Sequence, residues 1–285
     1  MSGVGGKIRK FIAKTPKGRY AAVARMWMRR FPSVPVPCRL WFGAWWLASP
    51  GVIDTRVMEG TFEPAELRFV EGFLKPGMTV LDVGGHHGLY TLLASKCVGK
   101  TGRVITFEPS SRERAILERH VKINRRDNVK IETMAVGSEI GRGKLFVVEG
   151  AEDGCNSLRP PNTESRSHAG EVEVTTIDAY LAGKNIGQVD FLKMDIEGAE
   201  LDALKGSRRL LRSGARPVVL AEVDDIRTEP WGYKSREIVR YLEDLGYRWH
   251  KILEDGRIEE TDTNAEVFDA NLVAVPKERL PNEKN

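Results

Sequence analysis

From residue 78 onward, the chain alternates short runs rich in β-branched residues with longer stretches of helical periodicity. Parallel strands need crossover connections, which are usually helices, so this alternation predicts a doubly wound, mostly parallel sheet. We expect seven strands, at 78–83, 103–108, 128–136, 189–195, 216–223, 247–253 and 270–276. We expect helices at 89–97, 111–124, 198–212 and 235–245. The predicted fold class is therefore α/β and Rossmann-like.

Two further runs, 143–150 and 170–178, fit strands that pair as a hairpin or extend an edge of the sheet. They flank the polar stretch 151–170, whose Pro, Ser, Asn and Gly content is typical of a mobile loop. Because loops of this length are often functional, we expect it to act as a substrate lid.

Charge is distributed unevenly along the chain. The net charge is +4, but residues 1–53 hold ten Lys or Arg and no Asp or Glu, which leaves the remainder net −6. In residues 7–31 these cations are interleaved with large apolar side chains, which is typical of a basic amphipathic helix on an anionic surface. A solvated arm, a helix packed on the main domain and a transit peptide remain open alternatives.

We therefore divide the sequence into a basic, aromatic-containing N-terminal extension (1–55), a main domain (56–277) and a polar tail (278–285). The apolar run 40–49 is too short to span a bilayer, because a membrane-spanning helix needs about 20 residues. We expect a cytoplasmic protein, with peripheral membrane contact through residues 1–50 as an open alternative.

The stretch 80–91, VLDVGGHHGLYT, places a glycine-rich turn directly after the strand 78–83. Neither GxxxxGK[ST] nor GxGxxG occurs there, which argues against a phosphate-cradling loop. Instead Asp82 ends the strand and favours a cationic ligand, while Gly84 and Gly88 let that ligand approach the backbone. Glu108, 26 residues after Asp82, ends the next strand, where it can accept hydrogen bonds from two ribose hydroxyls. An adenosyl group, an amino acid and a cation together describe S-adenosylmethionine.

Other segments follow in a recognisable order. They are GTFEPAEL (60–67), KPGMTVLDVGGHHGLYTLLAS (75–95), GRVITFEPS (102–110), INRRDNVKIETMAVG (123–137), NSL (156–158), VEVTTIDAYL (172–181), VDFLKMDIEGAELDALKG (189–206) and VVLAEV (218–223). On these segments the sequence resembles the FkbM family of S-adenosylmethionine-dependent methyltransferases, over about residues 58–250. The element KMDIEGAE is the most specific match. The turn departs from the family at His86 and His87, where Ala-Asn followed by an apolar residue is more common.

The resemblance implies a class I methyltransferase fold with a seven-strand sheet, and O-methylation of a sugar, glycan, glycolipid or polyketide-like acceptor. With the turn, it implies a set of residues that contact the cofactor. The set is Glu63, Asp82, Gly84, Gly85, Gly88, Glu108, Pro109 and Ala135. For Glu63 there are two alternatives, closure over the cofactor and a salt bridge to a neighbouring arginine.

Adjacent residues in a turn point in different directions, so His86 and His87 are poorly arranged to bind one metal together. A neutral imidazole near pH 7 can still accept a proton from a hydroxyl nucleophile, which makes His87 a candidate base. The alternative is that both histidines form hydrogen bonds that shape the cofactor loop.

Three acids, Asp195, Glu197 and Glu222, are at or just beyond the carboxyl ends of two strands, where ligands bind in sheets of this type. We expect Asp195 to be the general base, with Glu222 beside it. Lys193 shares a strand face with Asp195, and an ion pair between them would hold Asp195 ionised. Alternatively, Asp195 with Glu222 or Asp224 could bind Mg²⁺ and lower the pKa of the acceptor hydroxyl.

For Glu197, we expect a structural role as the N-cap of the helix that starts near Gly198. The expected partner is a small-molecule, glycan or lipid-linked acceptor, and no nucleic acid. Two other functions stay open. The basic N-terminal segment could serve a nucleic-acid or protein N-methyltransferase, although the sequence has DIEG where such enzymes have [DN]PP[YF]. A noncatalytic binding protein on the same scaffold is the second, because fold does not fix function.

Overall fold

The computed structural model describes residues 17–149, 154–161, 165, 167–265 and 267–279. Contacts within the chain divide it into two compact units, of which one ends at Phe62 and the other begins at Glu63. The boundary expected after residue 55 falls inside a helix of the first unit. Parts of the predicted lid, at 150–153, 162–164 and 166, lie outside the described residues, as do 1–16 and 280–285.

The first unit combines two helices with a hairpin. Its elements are helix α1 (Lys17–Arg30), strands β1 (Val36–Arg39) and β2 (Trp45–Ala48), and helix α2 (Val52–Glu59). The two strands pair antiparallel. Trp46 is fully buried, and its indole N–H donates to Asp54 Oδ1 at 3.2 Å. This bond satisfies two buried polar groups and joins the hairpin to the second helix.

The second unit contains the remaining strands and helices. The strands are β3 (Thr79–Val83), β4 (Arg103–Phe107), β5 (Val129–Glu132), β6 (Ala135–Val136), β7 (Gly141–Val148), β8 (Ser167–Thr175), β9 (Phe191–Met194), β10 (Val218–Asp224), β11 (Tyr247–Ile252), β12 (Ile258–Glu260) and β13 (Asp269–Pro276). The helices are α3 (Pro64–Phe73), α4 (Leu89–Val98), α5 (Ser111–Ile123), α6 (Ile177–Gly183), α7 (Glu200–Lys205), α8 (Arg208–Leu211), α9 (Asp225–Thr228) and α10 (Arg236–Asp244). A 3₁₀ turn, Lys277–Arg279, follows β13, and its Glu278 pairs with Arg216.

The main sheet has the strand order β12-β11-β13-β10-β9-β3-β4-β5. The run β10-β9-β3-β4-β5 is parallel, whereas β13 is antiparallel to both of its neighbours. The α/β, Rossmann-like prediction is confirmed, and all seven predicted strands are present in it. The structure adds β12 as an eighth strand at one edge. It is only three residues long, so propensity alone could not single it out.

Two predicted elements are divided in the structure. The predicted strand 128–136 is interrupted after Glu132, and its end, β6, joins β7 and β8 in a separate three-stranded sheet. The expected hairpin between β7 and β8 is confirmed. The predicted helix 198–212 is two short helices that break at Gly206, where a Cβ would overlap the carbonyl oxygen of Gly137.

The core lies between the main sheet and its helices. Its largest fully buried side chains include Phe107, Phe191, Tyr247 and Trp249. Because β3, β4, β9 and β10 are parallel, the residues that follow them meet at one edge of the sheet. Within the described ranges, none of the helices combines the length and the apolar content needed to cross a membrane.

Candidate active site

The glycine turn between β3 and α4 packs directly on the neighbouring strand ends. Gly84 has a φ of +83°, and a Cβ there would overlap the carbonyl oxygen of Asp195. A Cβ on Gly85 would meet Thr106, and one on Gly88, at φ +92°, would meet Leu117. The prediction that Gly84 and Gly88 let a ligand approach the backbone stays a prediction. Glycine is needed here because protein atoms fill the space that a side chain would take.

Glu108 follows β4 and joins the turn to the next strand end. Its Oε2 accepts the backbone N–H of His86 at 2.7 Å, and its Oε1 accepts the N–H of Ser110 at 2.9 Å. The side chain is 5% exposed, and burial raises its pKa to about 7. Each carboxylate oxygen can accept a second hydrogen bond. The geometry therefore fits the predicted contacts with two ribose hydroxyls, which would stabilise the ionised form.

Asp82 is turned into the protein rather than toward the open edge of the sheet. It is 1% exposed, its Oδ2 accepts the hydroxyl of Thr91 at 2.6 Å, and its Oδ1 is 3.8 Å from Lys193 Nζ. Burial raises its pKa, although Lys193 and Thr91 oppose the rise. Its counter-charge in this structure is Lys193, and the contact with a cationic ligand stays a prediction.

Lys193 connects the turn with the acid proposed from the sequence. Its Nζ is 3.2 Å from Asp195 Oδ2, so the predicted ion pair is present, and it donates to the carbonyl oxygen of Gly84 at 3.1 Å. Burial lowers its pKa, but Asp195 and Asp82 outweigh that effect and raise it above the usual range. The ammonium group is therefore charged, and it fixes Asp195 relative to the glycine turn.

Tyr90 and Glu63 extend this network, and Tyr90 was not predicted. The Lys193 ammonium lies 5.0 Å from the centre of the Tyr90 ring, and the Tyr90 hydroxyl donates to Glu63 Oε2 at 2.6 Å. Asn271 donates to the other oxygen of Glu63 at 3.3 Å. Glu63 therefore lies beside the network, bonded to a tyrosine and an amide rather than to the arginine of the alternative. Burial and then Asp195 raise its pKa to about 7.

The acids after β9 and β10 form one cluster, the acid trio of Asp195, Glu197 and Glu222. One carboxylate oxygen from each lies within 4.8 Å of the other two. Burial, followed by repulsion from Asp195, raises the pKa of Glu197 to about 8. The same causes raise the pKa of Glu222 well above its usual range. Glu222 Oε2 is inaccessible to solvent and has no hydrogen-bond partner among the described residues.

Arg227 explains why Glu197 and Asp224 differ from their predicted roles. Its guanidinium is 3.0 Å from Glu197 and 3.8 Å from Asp224, which also accepts the N–H of Ile226. Helix α7 starts at Glu200, and Glu200 itself accepts the Ile196 N–H at 2.7 Å. The expected N-cap role of Glu197 is therefore wrong, because an unforeseen arginine takes its carboxylate. The oxygen cluster contains Glu197, and not Asp224, which the sequence offered as an alternative Mg²⁺ ligand.

The two histidines of the turn lie side by side. Their ring centroids are 3.9 Å apart with an interplanar angle of 22°, so the expectation that they point in different directions is wrong. Both lie near Glu113 of α5, which bonds Ser110 and pairs with Arg112. Nitrogen lone pairs lie in the ring plane, so nearly parallel rings do not converge on one metal. His87 is 5% exposed and belongs to this group, not to the acid trio.

The remaining predicted cofactor residues occupy less specific places. Pro109 is half-buried after Glu108, and its carbonyl oxygen accepts Arg114 Nη1 at 3.0 Å. Ala135 lies in β6, where it pairs with Val174 of the smaller sheet. The sequence did not single out Tyr90 or Arg227. Tyr90 follows the glycine turn, and Arg227 follows the end of β10. No residue pattern distinguishes them from other buried polar residues.

A family model of the methyltransferase FkbM domain matches residues 82–249, which is more than half of the chain. A curated "Methyltransferase 1" of Beauveria bassiana is 24% identical over an alignment of 147 residues, and the match covers 45% of this chain and 57% of that protein. The AMB antimetabolite synthetase AmbE of Pseudomonas aeruginosa is 26% identical over an alignment of 225 residues, and the match covers 66% of this chain and 10% of that protein.

Among solved structures, the chain is similar to the methyltransferase FkbM of Methylobacillus flagellatus KT. It is 19% identical with a TM-score of 0.47, and the match covers 78% of this chain and 54% of that one. The chain thus spans little more than half of the length of two of these proteins, and a tenth of the third.

Proposed function

Because the chain belongs to the FkbM methyltransferase family and is thus an S-adenosylmethionine-dependent methyltransferase, we propose that it methylates a hydroxyl oxygen of a sugar, glycan, glycolipid or polyketide-like acceptor. The observation that carries the proposal is the position of Asp195. Its carboxylate is partly exposed beside two protonatable acids and is tied through Lys193 to the glycine turn.

The turn side of the edge would hold the cofactor. Glu108 offers two acceptor sites for ribose hydroxyls and is already oriented by the N–H groups of His86 and Ser110. Gly84, Gly85 and Gly88 keep the turn against the strand ends. When bound, S-adenosylmethionine supplies an electrophilic methyl group on a sulfonium centre. Glu63 and Asp82 contribute negative charge around Lys193, and we propose that they act through this network.

Asp195 would accept the proton of the acceptor hydroxyl as the new carbon–oxygen bond forms. The Lys193 ammonium holds the carboxylate at 3.2 Å and limits its orientation. Burial and the acidic neighbours of Glu222 raise its pKa well above the usual range, which favours the protonated form. A protonated carboxyl can donate one hydrogen bond, so Glu222 would hold an oxygen of the acceptor. His87, the second candidate base, belongs to the Glu113 group and is not favoured.

The acid trio also supports a second candidate for activating the hydroxyl. Three carboxylates with oxygens this close provide the ligand type that Mg²⁺ prefers, and a bound cation would remove the repulsion that raises the pKa of Glu197 and Glu222. Arg227 and Lys193 already supply positive charge to two of the three acids. We therefore favour the general base over the metal as the group that activates the hydroxyl. Assays with EDTA and with added Mg²⁺ distinguish the two hypotheses.

The test is transfer of a labelled methyl group from S-adenosylmethionine to a panel of hydroxylated sugars, glycolipids and polyketide-like compounds, followed by mass spectrometry and NMR of the product. An O-methyl ether supports the proposal. Transfer only to amines, or only to RNA, DNA or protein, would replace it with the N-methyltransferase alternative. Failure of the protein to bind S-adenosylmethionine by calorimetry would favour a noncatalytic scaffold.

A further inference from the structure

Helix α1 of the first unit buries Ala21, Ala24 and Met28 but leaves several large apolar residues exposed. Ala21 and Ala24 are 4% and 3% exposed, whereas Val23, Met26 and Trp27 are 57%, 68% and 46% exposed. An amphipathic helix normally buries its large apolar side chains against its own protein. The exposed residues follow helical spacing, so they share one face. With Phe31, which follows the helix, we call them the outer stripe.

Aromatic contacts join residues of the outer stripe, and cations border it. The rings of Trp27 and Phe31 lie 4.7 Å apart, and the Arg30 guanidinium is 5.1 Å from the centre of the Phe31 ring. Arg29 and Arg30 are exposed at the end of the helix. Arg25 by contrast pairs with Glu59. The chain has no acid before Asp54, which is buried, so the stripe lies in a strongly positive part of the sequence.

The hairpin of the same unit repeats this combination. Trp41, in the turn between β1 and β2, is 52% exposed, and Trp45 at the start of β2 is 37% exposed. The Arg39 guanidinium lies 5.6 Å from the ring of Trp45. Tryptophan favours the boundary between lipid headgroups and acyl chains, and arginine is attracted to anionic headgroups.

We propose that the outer stripe docks on an anionic lipid surface, with Val23, Met26, Trp27 and Phe31 inserted below the headgroups and Arg29 and Arg30 among the phosphates. Two features favour lipid. Val23 and Met26 gain nothing from a nucleic-acid phosphate, whereas burial of their apolar surface favours insertion into a bilayer. A second copy of the same face would bring like charges together, which disfavours self-association.

The experiment is cosedimentation of the full chain with vesicles of phosphatidylcholine, alone or with about 30 mol % phosphatidylglycerol. Wild type should pellet with the anionic vesicles and stay in solution with the neutral ones. The double variant Met26→Ser/Trp27→Ser should bind about tenfold more weakly, because two inserted side chains are lost. Arg29→Gln/Arg30→Gln should weaken binding by a similar factor at low salt. The matched control is Ile140→Ser, which changes a 72% exposed apolar residue of the second unit and should bind as wild type.

Circular dichroism and S-adenosylmethionine binding check that each variant is folded. The proposal is overturned if wild type ignores anionic vesicles, or if Met26→Ser/Trp27→Ser binds them as tightly as wild type does. It is also overturned if wild type forms dimers without lipid and the double variant does not, since the stripe would then be a contact between copies. Vesicle binding needs no methyl acceptor, so these outcomes are independent of the proposed O-methylation.

Discussion

The edge of the main sheet has two halves. One half stabilises a buried carboxylate with hydrogen bonds, and the other brings three carboxyl groups close together. In the turn half, after β3 and β4, Glu108 is buried but both of its oxygens accept backbone N–H groups. In the acid half, after β9 and β10, three carboxylates crowd together, and Glu222 keeps an oxygen without a partner among the described residues. Burial raises pKa values in both halves, but backbone N–H groups oppose the rise at Glu108, whereas three neighbouring acids add to it at Glu222.

This difference indicates a division of labour. Backbone donors position Glu108 before any ligand arrives, which suits the recognition of a cofactor that is the same in every cycle. The acid half stores unfavourable electrostatics that a proton or a bound acceptor can relieve, which is typical of groups that carry out chemistry. Lys193 and Gly84 connect the two halves, because the Lys193 ammonium donates to the carbonyl oxygen of Gly84 and pairs with Asp195.

The largest expected effect is on Asp195, the proposed base. Asp195→Asn should reduce the methyl-transfer rate by about 10² to 10⁴, the range that a general base contributes. The measurement is single-turnover transfer of labelled methyl to an acceptor identified in the screen. Asp202→Asn, at a half-exposed acid on α7 that pairs with Lys205, is the control and should leave the rate unchanged. A rate within about threefold of wild type for Asp195→Asn would contradict the assignment of Asp195 as the general base.

Glu108 tests the turn half. Glu108→Ala should weaken S-adenosylmethionine binding by about 100-fold, because two hydrogen bonds to a charged group are lost together. Calorimetric titration gives the dissociation constant, and circular dichroism verifies the fold. Glu118→Ala, at an exposed glutamate of the neighbouring helix α5, should bind as wild type. Equal binding by Glu108→Ala and Glu118→Ala would contradict the assignment of Glu108 to the cofactor.

A substitution at Gly84 tests the contact that connects the two halves. Gly84→Ala should destabilise the protein by about 3 kcal/mol, because a Cβ adds an overlap with the Asp195 carbonyl oxygen to the strain of a positive φ. Gly232→Ala is the matched control, since Gly232 has a similar φ of +77° but no atom within 4 Å of a built Cβ. It should cost about 1 kcal/mol, the strain alone. Urea unfolding measures both, and equal losses would mean that the turn does not pack on β9 as described.

The smallest expected effect concerns pH. The pKa of Glu222 is raised in the folded protein, so folding favours its protonated form, and that contribution is lost as pH rises above the unfolded value near 4.5. Glu222→Gln keeps the shape without the charge. The variant should therefore be more stable than wild type at pH 8, by about 1 kcal/mol, with a smaller difference at pH 5. Thermal unfolding at both pH values measures this, and a difference that shrinks toward pH 8 would show that Glu222 is not electrostatically strained.

Much of the fold was predictable because apolar residues recur along the sequence with the periods of strands and helices. The seven strands, the β7–β8 hairpin and the Lys193–Asp195 pair followed from local pattern and from the alternation of side chains along a strand. The break at Gly206 did not, because it depends on a contact with Gly137 that is distant in sequence. Tertiary packing of this kind overrides local propensity.

The site was predictable in position but not in its internal bonds. Strand-end acids could be assigned to one edge of the sheet from topology alone. That Asp82 pairs with Lys193 inside the protein, and that Arg227 takes the carboxylate of Glu197, depends on side-chain directions after folding. The stacking of His86 on His87 likewise depends on the φ of +46° at His86, a conformation that sequence does not specify for histidine.

The most direct test of the division between the two halves is calorimetric titration of S-adenosylmethionine into Asp195→Asn beside wild type and Glu108→Ala. If the turn half alone recognises the cofactor, Asp195→Asn binds with a dissociation constant within about threefold of wild type while Glu108→Ala loses about 100-fold. If Asp195→Asn loses affinity as severely as Glu108→Ala does, the edge is a single cofactor site and the proposed division is wrong.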